Sequence, residues 1–167
     1  MLAHYESPAA AMRAHEELIG YWRRQRTPAG GRLPARAHIN PAEFKRHLPA
    51  VSLTDVRRDA DGWLDYRLRL AGTDLFTVYG QEITGKSLAE VFHNDAPYWR
   101  AALDRVVTTR TPQVDIRPLA WRGIGNVSIL WLRLPLATNG EEVDMIFGYD
   151  ALVGGSALRQ ASGIRAA

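Results

Sequence analysis

The chain has 167 residues, a formal net charge of +3 and no cysteine. The length suits one domain, and the missing cysteine excludes disulfides, thiolate zinc sites, a cysteine nucleophile and a cysteinyl-flavin adduct. No apolar run approaches the roughly 18–20 residues of a membrane-spanning helix, and residues 1–10 lack a signal-peptide pattern, so a reducing, cytoplasmic setting is expected.

The chain order of elements begins with Ser7-Pro8, an N-cap followed by proline at the first helical position. Met12, His15, Leu18, Ile19 and Trp22 then recur at helical spacing and predict an amphipathic helix. Thr27-Pro28-Ala29-Gly30-Gly31 ends it. Asn40-Pro41-Ala42-Glu43 is a second helix start, with Pro49 closing a short helix. Residues 50–56 read as a strand, Asp59-Ala60-Asp61-Gly62 as a turn, and Leu64, Tyr66, Leu68 and Leu70 alternate with charged residues as in a strand with one buried face. The two strands form a predicted hairpin.

Residues 71–110 read as short helical pieces. One carries Leu75, Phe76, Val78 and Tyr79, capped by Thr73 and stopped at Gly80. A capping box at Ser87-Leu88-Ala89-Glu90 opens the next. Asn94 or Asp95 caps a longer helix over about 97–109, with Trp99, Leu103 and Val106 on its apolar face. Strands are predicted at 114–120, 126–136 and 142–150. The middle one is apolar on both sides, which marks a strand covered twice or lining a cavity. Gly123-Ile124-Gly125-Asn126 and Asn139-Gly140 are hairpin turns.

Hairpin-connected strands make a five-stranded antiparallel sheet with the helical middle returning across one face, an α+β arrangement. Charge is uneven: residues 1–50 hold eight Lys/Arg against four Asp/Glu. Arg23, Arg24, Arg26, Arg32, Arg36, Lys45 and Arg46 form a basic strip able to recruit acidic partners or phosphates. The plainer alternative is a solvated helix end followed by a loop.

Three stretches resemble a PAS domain, specifically a family of single-domain bacterial PAS-like proteins. They are Gly31-Arg32-Leu33-Pro34-Ala35-Arg36-Ala37-His38-Ile39-Asn40-Pro41; His47-Leu48-Pro49 leading to Leu53-Thr54-Asp55-Val56; and Tyr66-Arg67-Leu68-Arg69-Leu70-Ala71-Gly72-Thr73 with Phe76, Tyr79-Gly80 and Ile83-Thr84-Gly85-Lys86-Ser87-Leu88. The similarity spans about residues 17–150. It implies a sheet in the order 2-1-5-4-3, short helices over one face, and an N-terminal flanking helix. On that basis residues 1–27 are the flanking helix, 28–153 the PAS-like domain and 154–167 a flexible tail. The resemblance also implies a sensory or regulatory domain, not an enzyme, that holds a small ligand between sheet and helices or dimerises through the flanking helix.

Candidate ligand-lining residues are Tyr66, Leu68, Phe76, Tyr79, Trp99, Leu103, Ser128, Trp131 and Phe147, with Arg69 and Thr73 as further polar candidates. The alternative for the aromatics is plain core. Leu18, Ile19 and Trp22 are candidates for a homodimer or signalling-partner contact. A pure dimerisation module without ligand is the second reading. A cone-fold enzyme of the ketosteroid-isomerase kind, using Asp55 and Tyr66, is a third. Among His4, His15, His38, His47 and His93 no pair has helical metal-ligand spacing, and His93, just before the long helix, is the one haem-ligand candidate. No metal or defined cofactor is expected, and the basic strip contains no groove-reading motif for nucleic acid.

Overall fold

The computed structural model describes residues 5–155. The tail expected at 154–167 therefore falls almost wholly outside the described residues, as does His4.

Helix α1 (Pro8–Gln25) starts where Ser7 and Pro8 predict, with the Ser7 hydroxyl accepting from the Ala10 amide at 3.1 Å. Ala11, Ala14, His15, Leu18, Tyr21 and Trp22 form its buried face. Met12, expected on that face, is exposed. The Asn40 side chain caps the next segment by accepting from the Ala42 amide, but Pro41–Ala50 is a 3-10 helix kinked at Phe44 and not an α-helix.

Strands β1 (Val51–Arg58) and β2 (Leu64–Ala71) form the expected hairpin. Their register shifts between Leu53 and Thr54, so Leu53 faces Leu70 while Thr54 faces Leu68. This bulge takes Leu70 out of the alternation with Tyr66 and Leu68. Leu70 is 47% exposed where simple period two would bury it.

Helices α2 (Leu75–Tyr79), α3 (Leu88–Phe92) and α4 (Ala96–Thr109) follow. Gly80 ends α2 in the left-handed region, as expected of a C-cap glycine. Asp74, not Thr73, occupies the cap position of α2. Ser87 and Glu90 close the reciprocal capping box of α3. Arg110 ends α4 at φ 55°, a left-handed position held by a non-glycine residue.

Strands β3 (Gln113–Pro118), β4 (Val127–Leu136) and β5 (Met145–Gly154) complete one antiparallel sheet in the order β2-β1-β5-β4-β3. A 3-10 turn at Leu119–Arg122 precedes Gly123 in the β3–β4 connection. Strand β5 begins later than expected because the Asn-Gly turn opens into a longer loop. There the Asn139 carboxamide accepts from the Glu141 and Glu142 amides, and Asp144 accepts from the Thr138 amide.

The sheet is covered twice. In the β4–β5 register, Leu132 faces Tyr149, Leu134 faces Phe147 and Ser128 faces Val153, so these side chains share one side. That side meets α1 and the 3-10 helix: His15 packs edge-on against Tyr149, and Phe44 against Phe147. Trp131 and Asp150 face each other and share the opposite side with Arg133, and there Trp131 meets Trp99 of α4. No helix among the described residues is long and apolar enough to cross a membrane.

Candidate functional site

The chamber between the sheet and α2–α4 is where a ligand was expected. Tyr66, Leu68, Tyr79, Trp99, Leu103 and Trp131 are brought together there, all at most 5% exposed. Trp99 stacks on Phe92 with ring centroids 4.6 Å apart, lies 5.7 Å from Trp131, and Phe92 meets Tyr79 edge-on.

Three candidates lie elsewhere. Phe76 is 57% exposed, because a five-residue helix can bury only one stripe and α2 buries Leu75, Val78 and Tyr79. Ser128 and Phe147 belong to the α1 side of the sheet. Arg69 is exposed and pairs with Asp55 at 3.5 Å on the outer surface, and Thr73 is exposed.

At the centre of the chamber stands a charged pair that the aromatic pattern does not reveal. The Arg133 guanidinium donates to both Asp150 oxygens, at 2.7 and 3.2 Å, and to the Leu132 carbonyl at 2.9 Å. The Tyr79 hydroxyl donates to Asp150 Oδ2 at 2.6 Å. The guanidinium carbon lies 5.2 Å from the Trp99 ring and 5.6 Å from the Trp131 ring, within cation–π range. Burial alone would lower the Arg133 pKa, but the Asp150 charge, the Tyr79 hydroxyl and the hydrogen bonds to both together outweigh it and raise it. Burial first, and then the Asp150 charge, push the Tyr79 hydroxyl well above its ordinary value. Gly148 leaves room for this group: a Cβ there would collide with the Ser52 hydroxyl and crowd Arg133. The signal in the sequence was Arg133 itself, one charge inside the apolar strand Ser128-Ile129-Leu130-Trp131-Leu132-Arg133-Leu134; a charge so placed is buried only when paired.

Tyr66 closes the chamber on one side, donating to Asp104 at 2.5 Å. Burial and the Asp104 carboxylate both raise its pKa. Trp131 donates to the Tyr98 hydroxyl at 3.1 Å, and Tyr98 donates on to Asp115 at 3.2 Å. Asp95 occupies the N-cap position of α4, as expected, but its side chain makes no capping hydrogen bond, because its carboxylate is taken by Arg117. Asp55 and Tyr66 point to opposite sides of the sheet, so they cannot share the cavity an isomerase would need. His93 is exposed at the rim of a surface cleft of about 310 Å³ with Tyr79, Gln81 and Arg122, outside the chamber where haem would sit.

On the opposite side, Leu18 and Trp22 are 1% and 3% exposed against the chain's own sheet, and the Trp22 indole donates to the Pro135 carbonyl at 2.8 Å. Both side chains are taken up mainly by the chain's own sheet. Ile19 is half-buried and borders an open groove with Arg23, Arg26, Arg110 and Val114.

Among solved structures, the chain is similar to the PAS domain of BvgS from Bordetella pertussis, at 19% identity over 74% of this chain and 96% of that one, with a TM-score of 0.46. It is also similar to a sensory box sensor histidine kinase from Vibrio cholerae, at 16% identity over 66% and 85%, TM-score 0.43. A third similar structure is a LOV protein from Rhodobacter sphaeroides, at 13% identity over 75% and 74%, TM-score 0.46. None of the curated proteins matches. The family described as the PAS domain matches residues 10–151, a span that takes in most of α1, strands β1 to β4, most of β5 and the helices between β2 and β3. The chain belongs to the PAS domain family.

Proposed function

We propose that this PAS domain is a sensory-class signalling module whose output passes through protein contact, with its interior serving as a packed, charge-pinned core. The observation that carries this reading is the Arg133–Asp150 pair wedged between Trp99 and Trp131. A ligand entering there would have to displace fully buried indoles or separate an ion pair that has no water to fall back on, and uncovering a buried charge costs several kcal/mol.

A small-ligand sensor is the second reading, and one observation favours it. The Trp99 indole N–H is buried with no hydrogen-bond partner among the described residues. Such a donor costs roughly 1–3 kcal/mol until something accepts from it, and a ligand carrying an acceptor would do so.

Native mass spectrometry of freshly purified protein tests the two together. Bare chains support the interaction module. A retained mass of a few hundred daltons on each chain, lost on Trp99→Phe, overturns it in favour of the sensor.

A further inference from the structure

The basic strip divides into paired and unpaired parts. Arg32 pairs with Glu141, Arg46 pairs with Glu17, and Arg36 donates to the Ile39 carbonyl. Arg23 and Arg110 have no carboxylate partner among the described residues, and Arg26 reaches only the Gly31 carbonyl and the Trp22 ring. These three arginines come from two distant parts of the chain, the end of α1 and the end of α4. They converge on a single groove of about 470 Å³.

The groove's other walls are apolar. Ile19 and Trp22 line it from α1, and Val114 from β3, 54% exposed. Val114 faces Leu132 and so lies on the α1 side of the sheet, beyond the reach of α1 itself. Among the described residues β3 is an edge strand, with only β4 beside it. The outer edge of such a strand is a template for an incoming extended segment.

We infer that this groove docks an acidic, extended segment of a partner protein, its carboxylates on Arg23, Arg26 and Arg110 and an apolar side chain on Ile19 and Val114, lying along the free edge of β3. The inference rests on the interaction-module reading and names the chemistry of its partner. A second copy of this chain fits poorly, because pairing the two grooves would set arginines against arginines. A nucleic-acid backbone would satisfy the arginines but has nothing to place on Ile19 and Val114; arginines forking onto carboxylates beside an apolar anchor describe a peptide.

The test uses the full chain and a fluorescent peptide of alternating glutamate and leucine, followed by anisotropy. Saturable binding is expected, weakened about tenfold or more by Arg23→Glu with Arg110→Glu. Val114→Ser should weaken it as well, and raised salt should reduce it. Arg57→Glu with Arg105→Glu makes the same change of net charge at exposed sites away from the groove and should leave binding intact. All these positions are exposed, and unchanged melting confirms that the variants fold. No saturable binding overturns the inference, as does equal loss in the distant charge variant. Equal binding of polyglutamate or of a single-stranded oligonucleotide of the same charge overturns it too. The two readings fail separately: a retained ligand in the native mass overturns the interaction module whatever the peptide does, whereas bare chains that ignore the peptide overturn only the groove assignment.

Discussion

A guanidinium removed from water loses hydration worth several kcal/mol, which only close partners restore. Arg133 recovers it from Asp150, from the Leu132 carbonyl and from two indole faces. Arg133→Met alone strands the Asp150 carboxylate with Tyr79 as its remaining partner, and urea unfolding should show a loss of about 3–5 kcal/mol. Adding Asp150→Leu should restore most of that loss; a double variant no more stable than the single one would mean the pair contributes net stability of its own. His15 carries a pH dependence. Burial, opposed by the Asp150 charge and by a backbone hydrogen bond at Leu130, lowers its pKa from 6.5 to about 4. Its ring also meets Tyr149, and the Arg133 charge lowers its pKa further. The folded state thus holds the neutral ring while the unfolded chain takes up a proton near pH 6.5. Stability from this site is full above that pH and falls as the pH drops toward 4, by at most about 3 kcal/mol. Melting of His15→Leu should show a shallower acid slope than the natural chain between these limits; parallel curves would place the titration elsewhere. Glu17, whose pKa is lowered by its bonds to His47 and Arg46, adds an acid-side loss that the variant leaves in place.

At the scale of elements, α1 is fastened to the sheet by Leu18, by Trp22 and by the Trp22–Pro135 hydrogen bond. Trp22→Ala should cost about 3–5 kcal/mol, with the mass in solution unchanged. A variant that instead shifts the association state while melting normally would return Trp22 to an interface. Trp131→Ala should cost a similar amount from the other side, and unchanged melting would contradict its burial. The five strands, the three helices between β2 and β3 and most of their starts were legible, because caps and turns act over three or four residues: Ser7 with Pro8, Ser87 with Glu90, and Gly80 all sit where their local chemistry predicts. Sidedness was harder to read. β4 and β5 are apolar on both faces, so period two separates their residues into two sets without saying which set meets α1 and which meets α4, and Ser128 of β4 and Phe147 of β5 lie on the side opposite to the one expected. Leu70 was misplaced for a different reason: a bulge leaves no local mark in the alternation it interrupts.

At the scale of the whole molecule, one sheet serves two layers. Tyr149 packs under α1 while its neighbour Asp150 holds the charge pair in the opposite layer. This double cover explains why an apolar β4 is compatible with a chain of ordinary hydrophobicity, and why Leu18 and Trp22 of the stripe expected on α1 are buried within the chain while Ile19 stays half-buried at the groove. The large side chains of the interior were legible as a set, but whether such a set encloses space or fills it depends on packing that no spacing rule encodes. The groove at the sheet edge was likewise invisible in sequence, since Arg23 and Arg110 are far apart along the chain. Arg110 has a further consequence. At φ 55° it occupies a backbone conformation that glycine adopts freely and that costs other residues about 1–2 kcal/mol. Arg110→Gly should therefore raise the melting temperature while weakening capture of the acidic peptide, so selecting this protein for heat resistance alone would steadily erode its grip on a partner.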